Sequence, residues 1–276
     1  MDTQIIAAFC ICDDILKGLH HYEDPQCQMS DAEVMTAALT AAMFFDGNYA
    51  AACKMLHEHG YMPKMLGPSR FSRRLQRLAG LFWCIFGALA DYWKTLNTDS
   101  IYSIDSFPVA VCDNIRIRRA KIYHDETYRG YCASKKRYFY SVKVHLLVTQ
   151  DGLPVEVFLT PGSVADVSTL EDFAFDLPAG STIYADRGYT DYDFEDDFAN
   201  VDGLAGSEFL PMRKANSKRP LPPWIRYLQN LHRKKVETAG SLIEQLLPKS
   251  IHAVTAAGFE LKVFLFVLVF PLKFSE

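Results

Sequence analysis

The feature that most restricts the fold of this chain is a long alternating segment from Arg137 to Thr149, followed by a second β-type run. Apolar and polar residues alternate along the first segment, as in a strand that buries one face. The Asp151-Gly152 pair is typical of a tight turn, and Leu153 to Leu159 then predicts a strand that pairs back as a hairpin. The second part of the chain is therefore predicted to be built on a sheet.

The first part of the chain carries helical patterns instead. Ile5 to Leu19 is apolar and free of proline, and Ser30 to Glu33 forms a capping-box pattern that opens an alanine-rich helix. A helix from Tyr49 to His59 and another that begins at Pro68 complete this region. The pattern changes to β-type runs beyond them, which predicts a helical N-terminal domain over residues 1–98.

Residues 99–276 alternate short β-type and helical runs in the order β-β-β-α-β-α-β-α. Ser100 to Ile104 is predicted as the first strand and leads into Asp105. Asp166 stands where an N-cap is expected, for a helix from Val167 to about Asp176. This order describes an α/β domain with a mixed sheet flanked by helices, which is the outline of a ribonuclease H-like domain.

Three acids stand out in this predicted fold: Asp105 after the first strand, Asp186 after the fourth, and Glu237 on the last long helix. Asp186 follows a β-prone run, and Gly188 permits a sharp turn after the strand, which leaves the Asp186 carboxylate at the edge of the sheet. Each acid also has a purely structural interpretation. In that interpretation Asp186 belongs to a polar turn, Asp105 caps a turn, and Glu237 pairs with Arg233 one helical turn earlier.

The three acids are predicted to meet at one edge of the sheet, although they lie far apart in the chain. Cleavage and transfer of a phosphodiester require charge neutralisation on both the attacking and the leaving oxygen, and two magnesium ions about 4 Å apart provide it. Three carboxylates suffice, because Mg²⁺ prefers oxygen ligands and keeps several waters. We therefore predict that Asp105, Asp186 and Glu237 are catalytic residues that hold two Mg²⁺ ions, for which Mn²⁺ can substitute.

The formal net charge of −4 conceals two strongly basic segments. Nine Lys or Arg and only two acids lie between Arg116 and Lys143, and eight Lys or Arg and no acid lie between Phe209 and Val236. Segregated positive charge is typical of a surface that binds a polyanion, although solvated basic loops give the same pattern. The residues predicted to contact DNA here and beside Asp186 are Lys135, Lys136, Arg137, Arg187, Arg213, Lys214, Arg233, Lys234 and Lys235.

The N-terminal region adds another basic feature. Four arginines are spaced at i, i+3, i+4 and i+7 and so share one face of the predicted helix: Arg70, Arg73, Arg74 and Arg77. A helix, a turn and a helix with an arginine face form the outline of a helix-turn-helix module on duplex DNA. An amphipathic core helix with a solvated basic side explains the same spacing.

The motifs around the three acids resemble those of the DDE-type transposases of bacterial insertion sequences, most closely the IS nine-eighty-two family. Tyr102–Ser106 is similar to the family's first-acid strand, Tyr184–Tyr189 to its second-acid motif, and Arg233–Thr238 to its third. Gly130–Lys136 resembles the basic lead-in to the second strand, and the resemblance covers nearly the whole chain. Related families place a Tyr and a Lys where this chain has Asn230 and Glu244.

The resemblance implies a DNA transposase that cleaves transposon ends and joins them to target DNA. It implies that the three acids are the metal ligands and that Arg233 faces a phosphate. The implied partner is double-stranded DNA, at the terminal inverted repeats and at the target, with a homodimer in the synaptic complex. Two alternatives stay open: a catalytically inactive protein that only binds transposon ends, and a ribonuclease H-like nuclease that cuts without joining.

The remaining features concern the cellular compartment. The seven cysteines are odd in number and never spaced as Cys-x-x-Cys, which favours reduced thiols, and the N-terminus lacks the basic region of a signal peptide. The apolar run Val263–Phe270 is too short to span a bilayer and is predicted to be a packed terminal helix. We therefore predict a cytoplasmic bacterial protein without a membrane partner, associated with the nucleoid when bound to DNA.

Overall fold

The structure, a computed structural model, describes residues 1–113, 117, 120–132, 137–200 and 204–274. Lys135 and Lys136 lie outside these residues, and so does the side chain of Arg137. The chain divides into two compact units, one made of residues 1–88 with 245–276 and the other of residues 89–244.

The first unit is helical. It contains α1 (Asp2–Gly18), α2 (Asp31–Phe44), α3 (Tyr49–Glu58), α4 (Pro68–Arg77), α8 (Ala256–Phe274) and the start of α5 (Ala79–Leu96). The predicted capping box of α2 is confirmed, because Ser30 Oγ accepts from the Glu33 N–H at 3.1 Å and Glu33 Oε2 accepts from the Ser30 N–H at 2.6 Å. Two backbone N–H groups at the start of the helix, which have no partner within the helix, thus gain a hydrogen bond.

The C-terminal helix α8 groups with the first unit, whereas the predicted division placed it with the sheet. Its residues from Val263 to Pro271 are all buried, and it packs against α2 and α1. A helix that is apolar on every face must be covered on every face, which explains why it joins the helical unit. The predicted packed terminal helix is confirmed. No helix in the described part of the chain combines the length and hydropathy needed to cross a membrane.

The second unit is built on a curled, mixed sheet that has six strands within the described residues. They are β1 (Ile101–Asp113), β2 (Arg129–Cys132), β3 (Arg137–Thr149), β4 (Pro154–Pro161), β5 (Thr182–Ala185) and β6 (Glu208–Pro211). One edge of β3 pairs with β1. The other edge pairs with β2 over residues 137–140 and with β4 over residues 142–148. β5 runs parallel to β1, and β6 runs parallel to β5. The flanking helices are α6 (Tyr192–Asp197) and α7 (Pro223–Leu246).

The predicted hairpin is confirmed as β3 and β4, which pair with Val144 opposite Leu159. The turn between them is closed by Gly152, whose φ of +84° lies in the left-handed region that favours glycine. The alternating pattern predicts one buried face, whereas β3 is buried on both faces from Phe139 to Thr149, apart from the half-buried Lys143.

Two local predictions are wrong. The first strand does not stop before Asp105 but continues to Asp113, because antiparallel pairing with β3 extends past Asp105. The predicted helix after Asp166 is only a 3-10 helix, Asp166–Asp172, and its N-cap is Ala165. The carboxylate of Asp166 bonds to other segments instead of capping, and just beyond the 3-10 helix the buried Phe173 and Phe175 stack on each other in an aromatic core.

Candidate active site

Asp105 and Asp186 occupy matching positions on neighbouring parallel strands. Ile104 on β1 is paired with Ala185 on β5, so each aspartate is the next residue after a paired position. Neighbouring strands lie about 4.8 Å apart, which places the two carboxylates side by side at the carboxyl end of this pairing. Strand pairing thus brings together two acids that the sequence separates widely.

Helix α7 carries Glu237 to the same place because three contacts fix its path across the sheet. Gln229 donates to the carbonyl of Leu210 on β6 at 3.0 Å, and the His232 ring stacks on Tyr184 of β5 with centroids 5.0 Å apart. Further along α7, Gly240 lies against Phe107 of β1, where an added Cβ would stand 3.4 Å from the ring. The helix therefore passes over β6, β5 and β1 in turn, and Glu237 arrives near β1.

Arg233 links Asp186, which directly follows β5, with Glu237 on α7. Its Nη1 lies 3.4 Å from Asp186 Oδ1, and its Nε lies 2.8 Å from Glu237 Oε1. Asp186 Oδ1 and Arg233 Nε are both buried, yet neither makes a hydrogen bond of good geometry with any described residue. The guanidinium of Arg233 therefore lies between two carboxylates and interacts with both by charge. Asp186 Oδ1 and Arg233 Nε keep unused hydrogen-bonding capacity.

The carboxyl of Asp105 has a shifted pKa. The pKa of its carboxyl is raised to about 7, mainly by burial and also by the neighbouring Asp186 and Glu237, against the opposing effects of the Ser106 N–H and of Arg233. Asp105 and Glu237 also line one cavity of about 550 Å³, together with Phe107 and Glu244. The three predicted acids are therefore brought together, and they interact electrostatically.

The donor chemistry of this site fits a divalent cation such as Mg²⁺. Its three carboxylates are oxygen donors, and the buried Asp186 Oδ1 has no hydrogen-bond partner among the described residues. In the described ranges, no three His, Cys, Asp or Glu side chains are placed so that they hold a metal ion as they stand. Arg233 supplies the positive charge between Asp186 and Glu237 in this arrangement.

A second layer of polar contacts, which the sequence analysis did not identify, lies behind the aspartates. The Ser106 N–H donates to Asp105 Oδ1 at 2.8 Å, and the Ser106 hydroxyl donates to Asp166 Oδ1 at 2.9 Å. Lys143 Nζ donates to the same oxygen of Asp166 at 2.9 Å. Ser106 and Lys143 reach Asp166 from distant segments, so no local motif reveals these two contacts.

Acidification is expected to destabilise the protein through His145, which is fully buried on β3. Its ring nitrogens contact the Tyr189 hydroxyl at 3.0 Å and Thr160 Oγ1 at 2.9 Å. Burial lowers the pKa of His145 to about 4, against a smaller opposing effect of Asp166. Between pH 6.5 and 4 the unfolded chain therefore binds a proton at His145 that the folded chain excludes, and this group alone lowers the free energy of unfolding by up to ~3 kcal/mol as the pH falls.

Denaturant unfolding at a series of pH values tests this expectation, with His145→Gln as the comparison. The variant cannot titrate at this position, so its stability should fall less steeply between pH 6.5 and 4. Equal slopes for the two proteins would contradict the assignment to His145.

Two of the arginines predicted to contact DNA form buried or partly buried ion pairs with acids of the same chain. Arg213 forms a two-pronged ion pair with Glu195 of α6, and the two side chains are only 7% and 8% exposed. Arg74 on α4 pairs with Glu23 and Asp31 and is 17% exposed. We therefore do not retain Arg213 and Arg74 among the proposed DNA contacts. The remaining predicted basic residues with described side chains are exposed, apart from the half-buried Arg233: Arg70, Arg73, Arg77, Arg187, Lys214, Lys234 and Lys235.

The mixed α/β unit thus brings three acids together, and a comparison with known protein families identifies the family of the chain. Residues 95–256 match the family described as the transposase DDE domain. The match spans more than half of the chain, so the chain belongs to this family. The predicted resemblance to DDE transposases is thereby confirmed, whereas the IS nine-eighty-two branch stays a prediction.

The fold is also similar to that of a solved transposase. A cryo-EM structure of the piggyBac transposase synaptic complex with hairpin DNA aligns with a TM-score of 0.50 at 8% sequence identity. The alignment covers 99% of this chain and 72% of that one. No curated protein sequence matches the chain.

Proposed function

We propose that this protein is a DNA transposase that cleaves transposon ends in a metal-dependent reaction and transfers the strands into target DNA. The observation that carries the proposal is the register of Ile104 with Ala185, which places Asp105 beside Asp186 where α7 delivers Glu237. Membership of the DDE domain family supports the same assignment. We assign these three acids as the catalytic residues.

The sheet supports a ribonuclease H-like assignment for the catalytic domain. Its main strands follow the order β4-β3-β1-β5-β6, antiparallel across the first three and parallel across the last three. We propose that the helices of residues 1–98 form a DNA-contacting domain, and the exposed Arg70, Arg73 and Arg77 of α4 support it.

Asp105, Asp186 and Glu237 would hold two Mg²⁺ ions, or Mn²⁺ in their place, and the ions would supply positive charge to the attacking and leaving oxygens. Arg233 must then exchange its carboxylate partners for another anion, and a DNA phosphate is suited to the released guanidinium. Hydrolysis at the transposon end leaves a 3′-hydroxyl, which attacks the target phosphodiester in line and displaces the 3′-oxygen of the adjoining target nucleotide. The residues of the chain contribute mainly by positioning these groups.

The proposed substrate is double-stranded DNA at terminal inverted repeats and at the target. The similar piggyBac structure is a synaptic complex with hairpin DNA, which supports DNA ends as ligands here. We propose that a homodimer brings two ends together, and that the protein acts in the bacterial cytoplasm at the nucleoid. Exposed Lys214, Lys234 and Lys235 are the proposed phosphate contacts beside the site.

The test is an end-cleavage and joining assay. Purified protein, a duplex that carries the inverted repeat flanking the gene, and a supercoiled target plasmid are combined with Mg²⁺ or with EDTA. We expect Mg²⁺-dependent nicks at the repeat boundary and joined products in the plasmid. Binding without cleavage would favour an inactive end-binding protein, and cleavage without joining would favour a nuclease. Absence of both binding and cleavage would contradict the proposal.

A further inference from the structure

Asp166 connects the two segments that follow Asp105 and Asp186, although it lies on a third segment. Its Oδ1 accepts from the Ser106 hydroxyl at 2.9 Å, directly after Asp105. Its Oδ2 lies against Gly188, two residues after Asp186, where an added Cβ would stand only 2.9 Å away. One carboxylate therefore contacts the chain immediately beyond both catalytic aspartates.

Lys143 fixes this carboxylate and balances its charge. Lys143 Nζ donates to Asp166 Oδ1 at 2.9 Å and to the carbonyl of Val164 at 2.7 Å. The side chains of Lys143 and Asp166 are 17% and 28% exposed, so the pair is partly shielded from water. A paired Asp166 adds no net negative charge beside the catalytic acids, and its Oδ1 already accepts two hydrogen bonds.

One contact leads on to the Asp105 carboxylate, and the other leads to the backbone of Asp186. Ser106 holds Asp105 through the bond from its N–H to Asp105 Oδ1 at 2.8 Å. Gly188 lies in the 3-10 turn Arg187–Tyr189, which is closed by the Tyr189 N–H donating to the carbonyl of Asp186 at 3.0 Å. A shift of Asp166 would therefore move the supports of both aspartates.

We propose that Asp166, held by Lys143, is a positioning residue that sets the orientation of the Asp105 and Asp186 carboxylates relative to each other. The inference rests on the proposed function, because it concerns how the same site is prepared for divalent ions. Residues that support metal ligands in this way typically change metal affinity or activity by about 10–100-fold when mutated. Asp166 differs from a merely structural residue in that its loss is expected to act on Mg²⁺ affinity.

The experiment compares Asp166→Ala, Gly188→Ala and the double variant with wild type, and uses Asp172→Ala on the same 3-10 helix as the control. Asp172 is exposed, so its removal should change little. The first measurement is the Mg²⁺ concentration that gives half of the maximal thermal stabilisation, without DNA. Strand cleavage and end-DNA binding are measured alongside.

Asp166→Ala is expected to raise the half-saturating Mg²⁺ concentration by about 10–100-fold, with a parallel loss of cleavage and unchanged end binding. Gly188→Ala should shift Mg²⁺ binding in the same direction, because its methyl group displaces the carboxylate. In the double variant, the fold-increase in the half-saturating Mg²⁺ concentration should be smaller than the product of the two single fold-increases, since both substitutions act on one contact.

A folded Asp166→Ala protein with the Mg²⁺ affinity of the Asp172→Ala control would overturn the inference. If Asp166→Ala does not fold, Asp166→Asn replaces it, because the amide keeps the volume and an acceptor for Ser106 but leaves Lys143 without its counter-charge. Wild-type Mg²⁺ affinity in that variant would overturn the inference equally. A wild-type protein that neither binds Mg²⁺ nor cleaves end DNA would instead refute the proposed function itself.

Discussion

Asp105→Asn is expected to slow strand cleavage by ~10³-fold or more, which corresponds to about 4 kcal/mol in activation free energy. Asparagine has nearly the shape of aspartate but cannot supply the negative charge that a divalent ion requires. The side chain is half-buried and lines a cavity with Glu237 of α7, and it is not part of the exposed basic surface. Affinity for transposon-end DNA should therefore stay nearly unchanged.

Cleavage assays and binding titrations on the same end-containing duplex measure the two effects separately. Asp151→Asn is a matched control, because it makes the same change of charge at the exposed hairpin turn. Misfolding is not expected to explain the loss. The pKa of Asp105 is raised to about 7 by burial, so above that pH the charged carboxylate destabilises the metal-free fold, and neutral asparagine removes this cost. Full cleavage activity in Asp105→Asn would refute the assigned role.

Local patterns in the sequence single out the three acids, but they do not specify how these acids meet. Asp105 and Asp186 each follow a β-prone run, a local pattern, but their side-by-side placement depends on pairing Ile104 with Ala185. The approach of α7 depends on Gly240 lying against Phe107, and no local pattern encodes that contact. Long-range register is therefore the part of the site that one sequence does not specify.

Asp166 shows how a correct local rule leads to a wrong assignment. An acid before a helical run is a good N-cap candidate by propensity. Here the Lys143 ammonium and the Ser106 hydroxyl, both from strands of the sheet, compete for the same carboxylate. Two bonds that include an ion pair outweigh one capping bond, and the short 3-10 helix begins without a side-chain cap.

Charge counting has a similar limit, because it does not show which cations are already paired. The basic segment after β6 folds back on the acidic helix α6. There Arg213 binds Glu195, and Arg219 binds Asp196 with its Nη1 2.6 Å from Asp196 Oδ1. The guanidiniums also lie over the Tyr192 ring, at 5.2 and 4.7 Å from its centroid. Arg213 and Arg219, which charge counting includes in the predicted polyanion-binding surface, are therefore paired with acids of the same chain.

Arg213→Met is accordingly expected to lower the free energy of unfolding by about 3–5 kcal/mol, because it leaves the Glu195 carboxylate buried without its counter-charge. The partners are 7% and 8% exposed, so water cannot replace the lost guanidinium without opening the contact. Denaturant unfolding measures the loss. Converting both residues to methionine should recover much of it, since the uncompensated charge is then removed as well.

Lys214→Met is the matched control, because the neighbouring side chain is exposed. It should change stability by less than about 0.5 kcal/mol. It should, however, reduce the slope of log affinity against log salt for end DNA by about 1, as expected for one lost phosphate contact. Folded Arg213→Met should keep the wild-type slope. The opposite pattern, with a reduced slope and unchanged stability for Arg213→Met, would show that Arg213 leaves Glu195 to bind DNA and would restore it as a phosphate contact.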